Sequence, residues 1–381
     1  MVKVCIIATA AIESPPREGN YSGVEAVSWS LAEGLCKLGD NVTLVTTNES
    51  PHANQKFQAR NDKNEIIGTL EVRSAGPTSW SPGAEKVMFQ NYVQWLTEEF
   101  GDGQGVVIDM SWSGFPYVLM AGKLGLKPHP NMKIMHVCHA LANWFNPLQQ
   151  KFSLPPVPFP RMCGVSSGQA AYLSSQYGVP VRYIHNGINL PPRPETVESD
   201  GYLLSLNRIA VEKGINHCID VALRSNIPIR VVGADSWVPQ EYVADVVDKC
   251  HFSNGLAQYW GHVDAETKWN LIRKCKAVIS CPDSTRYLEA FGIWAVETGA
   301  MMKPVVTIKS GGLNDIIQNG VNGYLCDNTD QMVDIIRSGK LDDINPENCR
   351  IGAERFSVEN MANEYQRFIN GIMSEDNQFK W

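Results

Sequence analysis

Two glutamates bracket an apolar run in the stretch EAFGIWAVE, where Glu289 and Glu297 lie eight residues apart. If a helix began near Glu289, the two side chains would differ by about 80° around its axis and by roughly 12 Å along it. Both would then face the same side and suit two ends of one elongated ligand. Because carboxylates accept hydrogen bonds from hydroxyl groups, that ligand would be polyhydroxylated. Glutamates near a helix start also stabilise the helix dipole, and this structural interpretation is equally open.

The backbone between the glutamates offers hydrogen-bond donors. Phe291, Gly292 and Ile293 would lie in the first turn of the predicted helix, where N–H groups have no helical partner. Gly292 would let a ligand come close to that backbone. We therefore expect the ligand to carry an anionic group as well as hydroxyls.

Two cations lie in the segment SLNRIAVEKGI, residues 205–215. The pattern predicts a strand, a turn and a helix, with Arg208 after the strand and Lys213 before the helix. Cations beside a helix N-terminus can bind a diphosphate. Two surface bases are the common alternative, and the strand–turn–helix context favours the diphosphate.

Short apolar segments alternate with amphipathic helical segments along the whole chain, which predicts α/β architecture with parallel sheets covered by helices on both faces. The predicted strands are residues 2–10, 41–47, 106–112, 133–139, 162–166, 181–187, 201–209, 227–233, 257–263, 277–282 and 304–308.

The proline-rich segment LPPRPETVESD, residues 190–200, interrupts this alternation and reads as a linker. We expect one doubly wound domain over residues 1–190 and another over 191–356. The remaining residues, 357–381, contain a helix with an apolar stripe that would pack back on the first domain. In such sheets ligands bind at the carboxyl ends of the strands.

Composition narrows the classes of partner. The net charge of -7 over 381 residues argues on electrostatic grounds against nucleic acid as a partner. The ten cysteines show no Cys-x-x-Cys spacing, and buried free thiols in a reducing cytoplasm fit them better than disulfides. The N-terminal run lacks the features of a secretory leader, and no apolar stretch is long enough to span a bilayer. We expect a cytoplasmic protein with at most peripheral membrane contact.

Taken together, the ordered motifs resemble the GT-B glycosyltransferases of family GT4, which transfer a sugar from a nucleotide-diphosphate donor with retention at the anomeric carbon. The resemblance spans nearly the whole chain and rests on EAFGIWAVE, LNRIAVEKGI, SGVEAVSWSLAEGLCKLGDNVTLVT, GVSSGQAAYL, IHNGIN and SGGLNDIIQNGVNGYL. It implies the GT-B fold, with two Rossmann-like domains whose parallel sheets face an interdomain cleft. The N-terminal domain would bind the acceptor and the second domain the donor.

The resemblance also assigns roles to the residues already singled out. Glu289 would contact the donor sugar and be needed for turnover, and the backbone of 291–293 would lie beneath that sugar. Glu297 would bind the ribose. Arg208 and Lys213 would bind the diphosphate and stabilise it as it leaves.

Four more positions are implicated by the resemblance alone. Gly23 would lie near the phosphates, although Ser22 stands where many relatives have a second glycine. His139 would face the sugar, and His262 and Val263 would contact the base. Acceptor choice would depend on the loops at 13–21 and 140–160.

No metal site is expected. The sequence lacks the Asp-x-Asp motif that metal-dependent transferases use, and His136 with His139 would make a poor site without a nearby carboxylate. The donor would be a UDP-, GDP- or ADP-sugar, with no other cofactor, and the acceptor a glycan, a lipid or a small molecule. The alternatives are a GT-B epimerase or phosphorylase and a nucleotide-sugar-binding protein without activity. A dehydrogenase is disfavoured, because no Gly-x-Gly-x-x-Gly follows the first strand.

Overall fold

The structure is a computed structural model that describes residues 1–17, 23–79, 82–112, 114, 131–139, 161–178, 180–236, 238–283 and 287–374. The chain divides into two compact units. Unit 1 combines Met1–Gly187 with Val358–Trp381, and unit 2 is Ile188–Ser357. The division falls three residues before the expected boundary at 190, because Ile188 already pairs with Ser357 at the edge of unit 2.

The described residues of unit 1 form an eight-stranded sheet in the order β3-β4-β2-β1-β5-β6-β7-β8. Its strands are β1 (Lys3–Ile7), β2 (Asn41–Thr46), β3 (Lys56–Arg60), β4 (Ile66–Ser74), β5 (Gly105–Asp109), β6 (Lys133–Val137), β7 (Met162–Gly164) and β8 (Arg182–Tyr183). Neighbouring strands run parallel except for the antiparallel pair β3–β4 at one edge. This hairpin was absent from the sequence prediction.

Helices α1 (Val24–Lys37), α2 (Pro82–Phe100) and α3 (Ser167–Tyr177) belong to unit 1. One face of the central strands packs against α2: Cys5, Ile7 and Val107 share a buried cluster with Leu96 and Phe100. All of β5 and residues 4–7 of β1 are buried, so side chains on both faces of the sheet are covered and these strands read as continuous apolar runs.

The described residues of unit 2 form a six-stranded parallel sheet in the order β11-β10-β9-β12-β13-β14. Its strands are β9 (Leu203–Leu206), β10 (Ile229–Val232), β11 (Ala257–Gly261), β12 (Ala277–Ser280), β13 (Val305–Ile308) and β14 (Gly323–Cys326). Counted from β9, the order is 3-2-1-4-5-6, the Rossmann arrangement. The chain therefore reverses its direction of winding between β9 and β12, and the loops after these strands border the place where such sheets bind ligands.

The helices of unit 2 are α4 (Ile215–Ser225), α5 (Gln240–His251), α6 (Ala265–Lys274), α7 (Ile293–Ala300), α8 (Leu313–Ile316), α9 (Thr329–Arg337) and α10 (Pro346–Glu354). A buried cluster joins the sheet to α4 and α9 through Ile219, Ile279 and Met332.

The last helix, α11 (Val358–Met373), returns to unit 1 and packs on α1. The contact requires Gly34, because a Cβ there would lie 2.7 Å from Ala362 Cβ. Gln366 also donates to Asp40 Oδ2 at 3.0 Å. Residues 358–373 were predicted as a helix and form one.

All ten cysteines lie in the described part of the chain, and each is free and buried. No helix among the described residues combines the length and apolarity needed to cross a bilayer.

Candidate active site

The loops that follow β9 and β12 pack backbone against backbone. Gly214, at the end of the first loop, has a φ of 63°, and a Cβ there would lie 1.8 Å from the carbonyl oxygen of Cys281. Asp283 N donates to Glu212 O at 3.1 Å across the same contact. Glycine is therefore required at 214, and the two loops form one support at the point where the winding reverses.

Lys213 lies in a 3-10 turn, Val211–Lys213, directly before α4. Its Nζ is 2.6 Å from Glu289 Oε2 and donates to the Tyr287 hydroxyl at 3.0 Å. The whole residue is only 9% exposed, and Glu289 is 7% exposed. The structure thus brings together two predicted site residues as a buried ion pair, in which each charge offsets the cost of burying the other.

The main chain of Glu289 is held from both sides by the loop after β13. Glu289 N donates to Ser310 Oγ at 3.0 Å, and Gly312 N donates to Glu289 O at 2.9 Å. Gly311 has a φ of 44°, and a Cβ there would lie 2.0 Å from Glu289 O. The segment SGGLND therefore fixes the position of Glu289. This contact was not predicted from the sequence.

The prediction that a helix begins near Glu289 is wrong, because α7 begins at Ile293. Gly292 precedes it with a φ of 103°, a left-handed conformation that stops the helix from extending backwards, and a Cβ there would lie 2.6 Å from Leu313 Cδ2. Glu289 is consequently on a loop, and the expected separation of the two glutamates by two helical turns does not apply. The Phe291 ring points inward and packs edge-to-face on Phe356 at 5.5 Å.

Glu297 lies within α7 and forms a second ion pair. Lys268, on α6, places its Nζ 2.6 Å from Glu297 Oε1 and 4.7 Å from the centroid of the Trp269 ring. Both carboxylates singled out in the sequence therefore contact a lysine. Lys268 was not identified beforehand.

Arg208 lies two residues beyond β9, in the loop that also carries Lys213. Its Nη2 is 2.6 Å from Glu212 Oε1, and about a third of each side chain is exposed. A guanidinium has five N–H donors, so this pair uses part of the capacity of Arg208. His262, exposed, and Val263, partly buried, follow β11.

Tyr287 is a site residue that the sequence analysis missed. Its hydroxyl accepts a hydrogen bond from Lys213 and lies 3.4 Å from Glu289 Oε1. The centroid of its ring is 4.4 Å from Lys213 Nζ. Tyr287 and Glu289 are two residues apart in a non-helical segment, and that spacing places side chains on the same side of an extended chain. This spacing was the available signal.

Gly23 and His139 belong to unit 1. Gly23 is the residue before α1, with an ordinary helical φ of -83°. His139 follows β6, and its Nε2 is buried without a hydrogen-bond partner among the described residues. Burial, followed by repulsion from His136, lowers the pKa of His139 to about 3, so its imidazole is neutral.

His136 has a structural partner. Its Nδ1 is 2.9 Å from Asp109 Oδ2, and both residues are buried. Burial alone would lower the pKa of His136, but the Asp109 carboxylate outweighs it and raises that pKa to about 10. The described residues contain no cluster of His, Cys, Asp or Glu that could hold a metal ion. Residues 18–22, which include Ser22 and part of the predicted loop at 13–21, lie outside the residues that the structure describes, as does the segment 140–160.

Comparison with known proteins identifies the family. Residues 21–191 match the family model "Glycosyltransferase Family 4", and residues 189–356 match "Glycosyl transferases group 1". The chain is 24% identical to O-antigen chain mannosyltransferase C of Escherichia coli, over 93% of this chain and 95% of that protein.

Solved structures share the fold. Sucrose-phosphate synthase from Thermosynechococcus elongatus superposes with a TM-score of 0.73 at 16% identity, covering 99% of this chain and 100% of that one. The Anabaena protein Alr3699/HepE, in complex with UDP and glucose, gives 0.65 at 16% identity, covering 97% and 100%. With two Rossmann-like units and family models that together run from 21 to 356, the chain belongs to the GT-B glycosyltransferases of the group 1, family 4 type.

Proposed function

We propose that the protein transfers a sugar from a nucleoside-diphosphate sugar to a hydroxyl acceptor, with retention of anomeric configuration and without a metal ion. The observation that carries the proposal is the buried contact between Lys213 and Glu289 beside the winding reversal of unit 2. There a cation suited to a diphosphate lies next to a carboxylate suited to sugar hydroxyls.

The leaving diphosphate would bind to Lys213, Arg208 and the start of α4. Negative charge grows on the phosphate oxygen as the bond to the sugar breaks, and preorganised cations stabilise that charge. Each such contact typically contributes about 3 kcal/mol to lowering the barrier. In this proposal the two cations and the helix dipole do the work that a divalent metal does elsewhere.

The donor sugar would rest against the backbone of 291–293 and donate hydroxyl hydrogen bonds to Glu289. Ion pairing with Lys213 leaves lone pairs on both Glu289 oxygens, so the carboxylate can accept those bonds without giving up the lysine. Glu297 would accept from the ribose in the same manner beside Lys268, and His262 with Val263 would border the base.

Retention follows from attack on the same face that the diphosphate leaves. The leaving phosphate would take the proton of the acceptor hydroxyl, so no enzyme nucleophile is needed. In the same proposal, Gly23 would lie near the phosphates. His139 would contact the sugar as a neutral imidazole, because its pKa of about 3 excludes the charged form at neutral pH.

The acceptor is proposed to be a glycan. Support comes from the full-length relative, whose name describes a mannosyltransferase of an O-antigen chain, and from a structural neighbour bound to UDP and glucose. The proposed compartment is the cytoplasm, where ten free thiols remain reduced.

A thermal-shift panel with UDP, GDP, ADP and a sugar derivative of each tests the donor class. A ligand present at about 100 times its Kd should stabilise the fold by roughly 2.7 kcal/mol. We expect one base to stabilise the protein, equally with and without EDTA. Failure of all six ligands contradicts the donor assignment, and a shift that EDTA abolishes contradicts metal independence.

A further inference from the structure

Tyr287 contacts both charged members of the Lys213–Glu289 pair. Lys213 Nζ is 3.0 Å from the Tyr287 hydroxyl and 2.6 Å from Glu289 Oε2. The same hydroxyl is 3.4 Å from the other carboxylate oxygen, Oε1. The three side chains therefore close a ring of hydrogen bonds around one carboxylate.

The chemistry of the groups fixes the direction of each bond. An ammonium group can only donate, and an ionised carboxylate can only accept. The Tyr287 hydroxyl must therefore accept from Lys213 and donate to Glu289. Both carboxylate oxygens then have a donor, which holds the Glu289 carboxylate in one orientation.

The ring of Tyr287 makes a separate contact with the cation. Its centroid lies 4.4 Å from Lys213 Nζ, within the range in which an aromatic face attracts an ammonium group. This contact does not depend on the hydroxyl, so phenylalanine at 287 would preserve it.

Backbone contacts place Tyr287 beside the turn that carries Lys213. Tyr287 N donates to Asp283 O at 2.8 Å, and Asp283 N donates in turn to Glu212 O at 3.1 Å. Because these bonds use main-chain atoms, substitution of the Tyr287 side chain leaves them in place.

We propose that Tyr287 is a positioning residue for sugar transfer, in which two parts of one side chain have separate roles. Its hydroxyl orients Glu289 toward the donor sugar, and its ring holds Lys213 beside the diphosphate. The inference rests on the donor site proposed above and adds a residue that the family motif does not include.

The experiment compares Tyr287→Phe with Tyr287→Leu, and uses Tyr183→Phe as a control on the exposed edge strand β8. The nucleotide used is the one of UDP, GDP and ADP that binds the wild type, and calorimetry gives its Kd for each variant. Hydrolysis of its sugar derivative, with water as acceptor, gives kcat and KM. Thermal unfolding of every variant reports its folding.

For Tyr287→Phe we expect the nucleotide Kd to stay within about twofold of wild type. We expect kcat to fall by about tenfold, which corresponds to the loss of one hydrogen bond to a charged group. For Tyr287→Leu we expect the same loss in kcat and, in addition, nucleotide binding weaker by about fivefold, because the ring contact is lost. The control should match wild type in all three quantities.

Wild-type kcat in Tyr287→Phe would overturn the role of the hydroxyl. If Tyr287→Phe and Tyr287→Leu lost melting temperature, kcat and nucleotide affinity to the same extent as each other, Tyr287 would have a merely structural role. That result would overturn the inference too. Binding of none of the nucleotides to wild type would instead remove the donor site itself, and with it the role of Tyr287.

Discussion

The two lysine–glutamate pairs of unit 2 have the same contact distance, 2.6 Å, and different surroundings. The side chains of Lys213 and Glu289 are 11% and 9% exposed, whereas those of Lys268 and Glu297 are 28% and 15% exposed. Charges that are shielded from water interact more strongly and are more costly to leave unpaired. The first pair should therefore dominate both catalysis and stability.

The pairs also differ in how they are positioned. Glu297 and Lys268 each lie on a regular helix, so their backbone is fixed by helical hydrogen bonds. Glu289 lies on a loop and needs Ser310, Gly311 and Gly312 to hold its main chain. In the proposed donor site, the group nearest the reacting bond would therefore be placed by long-range contacts, whereas the group at the distal end of the donor would need only secondary structure.

The largest contrast is expected in turnover. Replacing Glu289 by glutamine removes the charge that pairs with Lys213 while keeping the size, and should lower kcat by at least about 100-fold. The matched change Glu297→Gln should act mainly on donor KM and lower kcat/KM by about tenfold or less. Initial-rate measurements on both variants test this contrast. Equal losses in kcat would refute the division of roles.

Stability should separate the two lysines. Lys213→Met leaves a buried carboxylate unpaired and should cost about 3 kcal/mol in unfolding free energy. Lys268→Met removes a more exposed pair and should cost about 1 kcal/mol or less. Urea denaturation followed by circular dichroism measures both. A larger cost for Lys268→Met would contradict the ranking by burial.

A glycine pair tests the positioning of Glu289 by its loop. Gly311→Ala combines a positive φ with a clash 2.0 Å from Glu289 O, while Gly339→Ala has a φ of 77° and open space around the new Cβ. Gly339→Ala should cost about 1 kcal/mol from backbone strain alone. Gly311→Ala should cost more and also lower kcat, because Glu289 must move. Unchanged turnover in Gly311→Ala would contradict the positioning role of this loop.

The smallest effect on turnover is expected from the buried His136–Asp109 pair of unit 1, which lies outside the proposed donor residues and should act on stability. The folded-state pKa of His136 is raised to about 10 by Asp109, so the pair contributes fully below pH of about 6.5 and loses its contribution as the pH rises toward 10. His136→Gln should flatten that alkaline decline in melting temperature. Asp109 and Cys138 are the neighbouring groups that raise the pKa.

The control for this pH series is His139→Gln. The pKa of His139 is depressed to about 3 in the folded protein, so below a pH of about 6.5 the unfolded state binds the proton more readily. The stability of the wild type therefore falls as the pH drops below about 6.5. His139→Gln should therefore alter the acid side of the profile and leave the alkaline side unchanged. An alkaline change in this variant would contradict the assignment to His136.

Strong periodicity made much of the fold predictable. The predicted helix at 358–373 coincides with α11, strands β1, β2 and β6 lie within the predicted apolar runs, and β5 overlaps the run predicted at 106–112. The strand β3 was missed because its residues, KFQAR, alternate between exposed and half-buried and give no apolar run. The strand β14, GYLC, was missed because it begins with glycine and its two central residues are only partly buried, so it gives no continuous apolar run.

The sequence singled out Lys213 and Glu289, which the structure brings into contact, but it did not give the geometry of that contact. Lys213 and Glu289 are 76 positions apart, and their contact depends on the order of strands in the sheet, which local patterns do not encode. The helix was placed too early because nothing in the apolar spacing shows that Gly292 adopts a left-handed φ. Lys268 and Ser310 were overlooked because each acts on a residue brought near by the fold, whereas the two-residue spacing of Tyr287 and Glu289 was a signal that was not used.

The most direct test compares the Kd of a nucleoside diphosphate with that of its sugar derivative, measured by calorimetry for wild type, Glu289→Gln and Glu297→Gln. In Glu289→Gln we expect the nucleotide to bind as in wild type and the sugar to add no affinity. In Glu297→Gln both ligands should weaken together. An unchanged gain from the sugar in Glu289→Gln would contradict the claim that the Lys213–Glu289 pair binds the donor sugar.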